Sequence, residues 1–538
     1  MVKYCGKSVN QGIAIGKIKL YQKKEYTITQ KHDCDANQEI YYFENAKILA
    51  KKQLKELCQN ALETVGKDST SIFEMHEIMM DDLDYTDFIY RIIRAEKVSA
   101  EYAVSAAGNQ FSSVFSAMED EYMRERASDI RDITERLISC LKNSGDKGFE
   151  LDEPAIILAE DLTPSETIQL DRNKILGFVT LHGSANSHTA ILARMMNIPA
   201  LVSTNIQLTN ELDHRNAIIN GNNGELIIDP EAAVLSDMRK FLLAEEQKTE
   251  SLRTYIGKDS VTMAGKRINI FANIGNVTDL ESVMQNDADG IGLFRSEFLF
   301  LGRDNYPTEE EQFQAYKQVA ETMADKKVII RTLDIGADKH VPYFNLDREE
   351  NPAMGYRAIR ICLTRQEIFR TQLRAIYRAS AFGNIAIMYP MIISVSEVKQ
   401  IKTIIDEIKF ELKKEKIDFK EMEQGVMIET PASVMVSDDL AKEVDFFSIG
   451  TNDLAQYTLA IDRQNDKLDA FYDRRHPAVL KMIQMVIENG HKENCWVGIC
   501  GELGADTTLT QTFIKMGIDE LSVSPAFVLP IREIVCNT

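Results

Sequence analysis

Hydrophobic and polar positions change rhythm three times along the chain, and each change marks a different kind of structure. Residues 1–25 alternate apolar and polar around Gly12, Gly16 and the run Ile18-Lys19-Leu20-Tyr21, the pattern of short strands. These strands are too few to fold alone. From 30 to 145 the period becomes helical: Ile40, Phe43, Leu49, Leu54, Leu57 and Leu62 recur at roughly helical spacing, and no proline occurs before Pro154. Further helical stretches at 71–80, 99–117 and 128–141 predict an all-α bundle of about four helices. Beyond Gly145 and Gly148, strand-like runs at 154–159, 175–180, 200–203, 217–220 and 225–229 alternate with helical ones, and Gly221-Asn222-Asn223-Gly224 joins the last two runs as a hairpin. The first strands are expected to pair with these, which makes the bundle an insertion.

After a charged helical stretch at 231–258, eight strand-like runs follow with helical segments between them: 267–272, 290–294, 328–333, 385–390, 425–428, 446–449, 496–499 and 520–523. Eight βα units in roughly 275 residues is the size of a TIM barrel, (β/α)₈. The expected fold is therefore multidomain α/β. It comprises a mixed domain from 1–28 plus 146–230, a helical insertion at 29–145, a linker at 231–258 and a barrel at 259–538.

A barrel of this kind puts its chemistry just after its strands. Those positions hold Arg295 and Glu297 after the second run, Arg331 and Asp334 after the third, Glu429 after the fifth, Asn452, Asp453 and then Arg463 after the sixth, and Cys500 and Glu502 after the seventh. Arginine forks bind phosphate and carboxylate in pairs, and hard oxygen ligands hold Mg²⁺ beside phosphate oxygens, so the set suits a small anion bound with a metal. In the mixed domain, Ser187 is a good N-cap type before His188-Thr189-Ala190-Ile191-Leu192-Ala193-Arg194. That puts His188 in the first turn of a helix, where free N–H groups favour negative charge. Phosphoryl transfer to His188 fits that position.

Charge narrows the partners. With 62 basic and 83 acidic residues in 538, the net charge is −21, which argues against nucleic acid. Eight scattered cysteines without a C-x-x-C pair, no signal-peptide pattern and no long apolar run point to a cytoplasmic protein with reduced thiols and no membrane insertion. The acidic run Glu74, Glu77, Asp81, Asp82 and Asp84 reads first as a solvated face and, given a basic partner, as part of a dock.

Seven motifs in order carry a family resemblance over essentially the whole length. They are Ser187-His188-Thr189-Ala190-Ile191-Leu192-Ala193-Arg194; Asp289-Gly290-Ile291-Gly292-Leu293-Phe294-Arg295-Ser296-Glu297; Arg331-Thr332-Leu333-Asp334-Ile335-Gly336; Asn351-Pro352-Ala353-Met354-Gly355-Tyr356-Arg357; Gly425-Val426-Met427-Ile428-Glu429-Thr430-Pro431; Ser448-Ile449-Gly450-Thr451-Asn452-Asp453-Leu454; and Gly498-Ile499-Cys500-Gly501-Glu502. The chain resembles the enzyme I family of the bacterial phosphoenolpyruvate:sugar phosphotransferase system. The resemblance implies a swivelling phosphohistidine domain with an inserted helical bundle that binds the phosphocarrier HPr, followed by a phosphoenolpyruvate-binding barrel. It further implies His188 as the phosphorylated residue, Glu429 and Asp453 as Mg²⁺ ligands, and Arg295, Arg331, Arg357, Asn452 and Arg463 as substrate groups. Cys500 becomes the proton donor that yields pyruvate, and the oligomer a homodimer through the barrel. Two stretches depart from the family pattern: Ser184 and Ala185 replace the usual glycine and arginine before the histidine, and Ala337 stands where glycine is common. A rival of the pyruvate phosphate dikinase or phosphoenolpyruvate synthase kind carries a nucleotide-binding domain before the histidine, where this chain has its helical insertion. A non-catalytic phosphoenolpyruvate sensor needs neither nucleophile nor proton donor.

Overall fold

The computed structural model describes residues 1–538 except 22–27, 65–70, 119–120, 143–150, 164–165, 168–169, 172–173, 183–187, 197, 338, 340 and 464. The chain divides into two compact units, Met1–Glu245 and Glu246–Thr538. The division falls within the helix Ala232–Arg253, which buries none of its residues.

The first unit is built on an eight-stranded sheet with β1 (Val2–Cys5), β2 (Lys7–Asn10), β3 (Ile13–Tyr21), β4 (Ala155–Ala159), β5 (Ile175–Thr180), β6 (Ala200–Val202), β7 (Asn216–Asn220) and β8 (Glu225–Ile228), in the order β1-β8-β7-β3-β4-β5-β6-β2. β3 and β4 pair in parallel from Lys17 with Ala155 to Tyr21 with Ala159, so the chain leaves the sheet after Tyr21 and returns beside the same strand. β4 is buried on both faces. Ile156 and Leu158 join one apolar layer, Ala155, Ile157 and Ala159 the other, which explains its unbroken apolar sequence. The hairpin of β7 and β8 forms as expected, with Asn220 opposite Glu225.

Between β3 and β4 lie five helices: α1 (Ala36–Thr64), α2 (Ser71–Met80), α3 (Leu83–Glu96), α4 (Ala100–Ser116) and α5 (Glu121–Leu141). They enclose their own core, including Phe43, Leu54, Phe73, Ile89, Val104 and Leu137. The sequence pattern predicts about four helices, one ending at Met80 and none over 83–96, where the structure has α3. The break is made by Asp82, whose backbone is extended and whose side chain accepts from the Tyr85 amide at 3.0 Å as the N-cap of α3. The acidic run is also largely spoken for. Lys51 and Lys47 approach Asp81, and Lys55 lies 3.2 Å from Glu77, so α1 neutralises much of it.

In the second unit β9 (Asn269–Ile274), β10 (Gly290–Arg295), β11 (Lys327–Arg331), β12 (Ile385–Tyr389), β13 (Gln424–Ile428), β14 (Phe446–Ile449), β15 (Trp496–Ile499) and β16 (Glu520–Val523) close into an all-parallel barrel, β16 pairing with β9. The interior is filled by Phe271, Leu293, Ile329, Met388, Met427, Phe446 and Cys500, with Trp496 stacked on Phe446 at 4.6 Å between ring centroids.

Arg532 of the last helix, fully buried, fixes the region before β9. Its guanidinium donates to Ser260 Oγ, Asp287 Oδ2 and Asp289 Oδ1, each at 3.0 Å. Arg532→Met strands two carboxylates, and we expect the barrel to lose about 3–5 kcal/mol in urea unfolding. Burial pushes the Asp287 carboxyl up, but the Gly257 amide, Lys326 and Arg532 outweigh it and hold its pKa below the ordinary 3.8. Stability from this group is therefore present above the ordinary value and lost as pH falls through the lowered one. In Arg532→Met that acid-side loss shrinks.

Candidate active site at the barrel mouth

The C-terminal ends of the barrel strands surround a cavity of about 1090 Å³ lined by Arg295, Arg331, Arg357, Asn452, Asp453, Arg463, Glu429 and Cys500. The barrel thus brings together all the expected site residues except His188. His188 begins the helix His188–Met196 of the first unit. That helix packs on β2, β5 and β6, and its Ala193 joins the apolar layer under the sheet. The turn 183–187, with the expected N-cap Ser187 and the departures Ser184 and Ala185, lies outside the described residues, as does the His188 side chain.

Arg331, at the end of β11, is 8% exposed and bridges two acids. Its Nη2 donates to Glu297 Oε1 at 3.0 Å, and its Nη1 lies 2.9 Å from Asp334 Oδ2. Asp334 receives Arg357 Nη2 at 2.8 Å on its other oxygen, and its own amide donates to Glu297. Burial opposes the charges in this row, but the partners win: Glu297 and Asp334 raise Arg331, Asp334 raises Arg357, and the two arginines hold Asp334 well below the carboxylate range. Arg295 stands at the open mouth. Its crowded surroundings and then the Arg331 charge pull its guanidinium below the ordinary value. The two nitrogens Arg331 Nε and Arg357 Nε are buried with no hydrogen-bond partner among the described residues.

Across the cavity, Glu429 follows β13 and is 1% exposed. Its Oε1 accepts from the Met391 amide at 2.6 Å, and Met391 holds a left-handed φ of 59°, a conformation that costs a methionine energy and aims that amide. Thr430 caps the short helix that follows, with Pro431 in its first turn. Asp453 sits in the first turn of the helix Thr451–Leu459. Its Oδ1 is buried, lies 3.3 Å from Arg463 Nη2 and accepts no hydrogen bond among the described residues. Burial and then Asp453 and Asp334 push Glu429 well above the carboxylate range. Two buried carboxylates lining one cavity, one with an oxygen that has no hydrogen-bond partner among the described residues, form a hard donor pair fit for a divalent cation. Among the described residues no three His, Cys, Asp or Glu side chains form a metal cluster of their own, so such a cation would need further oxygens from water and substrate.

Asn452 is held by Glu502 in both directions, its Nδ2 donating at 3.2 Å and its Oδ1 accepting from the Glu502 amide at 3.1 Å. Cys500 follows β15, is 4% exposed and places its Sγ 3.7 Å from the Ile449 carbonyl. Burial pushes this thiol up to about 12, so it stays protonated at neutral pH. Sequence reading noted Glu297 and Asp334 at the strand ends but gave them no part. They are the anchors that orient Arg331 and Arg357. Gln456, whose Oε1 accepts from the Arg463 amide at 3.0 Å, carries no signal in the sequence beyond its place two residues after Leu454.

Three family models match the chain. Residues 5–126 match the N-terminal domain of PEP-utilising enzymes, 151–224 their mobile domain and 249–538 their PEP-binding domain. The chain is 41% identical over 534 residues to Phosphoenolpyruvate-protein phosphotransferase of Bacillus subtilis (strain 168), covering 98% of this chain and 93% of that one. It is 40% identical over 541 residues to the protein of the same name from Staphylococcus carnosus (strain TM300), with the same coverage of 98% and 93%. An Enzyme I protein solved by NMR in solution matches at 32% identity, over 45% of this chain and 99% of that one, with a TM-score of 0.39.

Proposed function

Because this chain belongs to the phosphoenolpyruvate-protein phosphotransferases, we propose that it moves the phosphoryl group of phosphoenolpyruvate to His188, releases pyruvate and passes the group to a histidine of HPr, the first step of phosphotransferase sugar uptake. The observation that carries this is the barrel mouth, where four arginines and a pair of buried carboxylates share one cavity with a protonated thiol. Phosphoryl transfer needs alignment and charge neutralisation more than covalent help.

Arg295, Arg331, Arg463 and Asn452 hold the phosphate and carboxylate of the substrate, and Arg357 braces Asp334 behind them. Glu429 and Asp453 would hold Mg²⁺, which when bound neutralises charge on the transferring phosphoryl oxygens and the departing enolate. An imidazole nitrogen of His188 attacks phosphorus, the bond from phosphorus to the enol oxygen breaks, and the enolate carbon takes the Cys500 proton to give pyruvate. The histidine-bearing domain, 1–28 plus 146–230, then swivels about 231–258 to deliver the group to HPr on the helical insertion at 29–145. Cytoplasmic location and a homodimer through the barrel at 259–538 complete the proposal. Among the described residues no helix is long and apolar enough to cross a membrane.

Incubation with phosphoenolpyruvate and Mg²⁺, without nucleotide, is expected to release up to one pyruvate per chain and leave an acid-labile phosphoryl group, with turnover once HPr is added. A requirement for ATP would favour the dikinase kind, and binding without pyruvate a sensor. Glu429→Gln, which keeps the shape and loses the charge, is expected to lower kcat/KM by about 10²-fold and to raise the Mg²⁺ concentration needed for half-maximal rate. Unchanged magnesium dependence in steady-state assays removes Glu429 from the ligand set.

A further inference from the structure

Beneath Cys500 the barrel interior holds a carboxyl group that the steps above leave idle. Glu520, at the start of β16, is 1% exposed, and its Oε1 has no hydrogen-bond partner among the described residues. Ser448 of β14 pairs with Gly498 of β15, and Gly498 pairs with Glu520, so the three form one rung across adjacent strands. Side chains alternate along a strand, and Phe446 and Cys500 lie in the interior, so Ser448 and Gly498, each two residues away, face inward with them.

The middle member of the rung has no side chain, and the carboxyl occupies the space. A Cβ on Gly498 would lie 1.7 Å from Glu520 Oε2, and one on Gly292 would lie 2.6 Å from Oε1 and 2.3 Å from Ser522 Oγ. Two glycines therefore shape a slot in which Glu520 reaches across β15. On the far side Ser448 Oγ is buried and also without a hydrogen-bond partner among the described residues. It neighbours the Cys500 thiol: burial pushes that thiol up, and the Ser448 hydroxyl pulls against it. Burial likewise holds the Glu520 carboxyl well above the carboxylate range, so it rests as a neutral acid. Lys327, paired with Glu423 at 2.7 Å, supplies positive charge from the foot of the barrel when Glu520 ionises.

We propose that Glu520 is the proton reserve that resets Cys500 after each turnover, acting through Ser448 across Gly498. This rests on the reading of Cys500 as the proton donor. Once the thiol has given its proton to the enolate carbon, the Ser448 hydroxyl gives its proton to the thiolate and takes one from the Glu520 carboxyl. The Glu520 carboxylate regains a proton from water after pyruvate leaves, so each cycle consumes one solvent proton. Glu520 touches no reacting atom and is a positioning residue for the proton. It serves a thiol whose own way to water is the substrate cavity, which stays filled until pyruvate leaves.

The test is rapid-quench and steady-state kinetics of full-length Glu520→Gln with phosphoenolpyruvate, Mg²⁺ and HPr. The first pyruvate per chain should form at the wild-type rate, because the resting thiol already holds its proton. Steady-state kcat should fall about 10²-fold with kcat/KM for phosphoenolpyruvate unchanged, so that KM falls with kcat, and the solvent deuterium effect should grow in the steady state alone. Burst and steady state slowed equally, or a steady state within about twofold of wild type, overturns the proposal. Should Glu520→Gln fail to fold, Ser448→Ala removes only the hydroxyl and must show the same split. Wild-type pyruvate release in Cys500→Ala would instead overturn the donor reading itself, whatever Glu520 does.

Discussion

His188→Ala abolishes the acid-labile phosphoryl group and stops pyruvate release at the level of the first turnover. A removed nucleophile leaves binding and electrostatics in place but no acceptor, and we expect the rate of label transfer from phosphoenolpyruvate to fall by ~10⁴-fold or more. The chain has eight histidines, and the structure separates this one from most of the others. His76 is buried against Asp129 and Asp132, His491 Nε2 lies 2.7 Å from Asp519, and His476 Nδ1 accepts from the Ala478 amide. His188 instead starts a nine-residue helix, where first-turn amides and the dipole receive added negative charge. Alanine suits the first turn of a helix, so thermal unfolding should change little. Phosphoryl labelling followed by acid treatment reads the outcome directly. Label that persists in the variant places the nucleophile elsewhere.

Arg331→Lys is the second large effect, and it separates shape from charge. The guanidinium spans from Glu297 to Asp334 at 3.0 and 2.9 Å while its Nε has no partner among the described residues. A lysine ammonium is a point charge that cannot bridge both carboxylates and also meet a substrate oxygen. We expect kcat/KM to fall by about 10²–10³-fold, most of it in kcat, because the preorganised donor is lost where charge develops. Stability should fall by only about 1–3 kcal/mol, since Asp334 keeps Arg357 at 2.8 Å. Steady-state kinetics beside thermal melts decide it. Activity within about tenfold of wild type would show that a charge at this position suffices without the fork.

The barrel was legible because parallel strands covered on both faces read as short apolar runs, and the chemistry of such a barrel lies just past them. All eight runs became strands, the first shifted from 267–272 to Asn269–Ile274 and the third from 328–333 to Lys327–Arg331. The third helix of the bundle was not legible, because its start depends on one aspartate capping an amide rather than on a change of period.

By itself, then, the sequence determined the order of elements, the family and which residue types gather at the strand ends, since periodicity and motif are local properties. Only the tertiary structure decided what each of those residues does. Glu297, Asp334, Glu429 and Asp453 are alike as sequence, yet barrel closure turns the first two into braces for arginines and brings Asp453 near enough to Glu429 to push its carboxyl up. Ser448, Gly498 and Glu520 likewise become one rung only because β14, β15 and β16 lie side by side. A carboxylate's partners, and hence its charge, are set by neighbours in space that spacing along the chain does not encode.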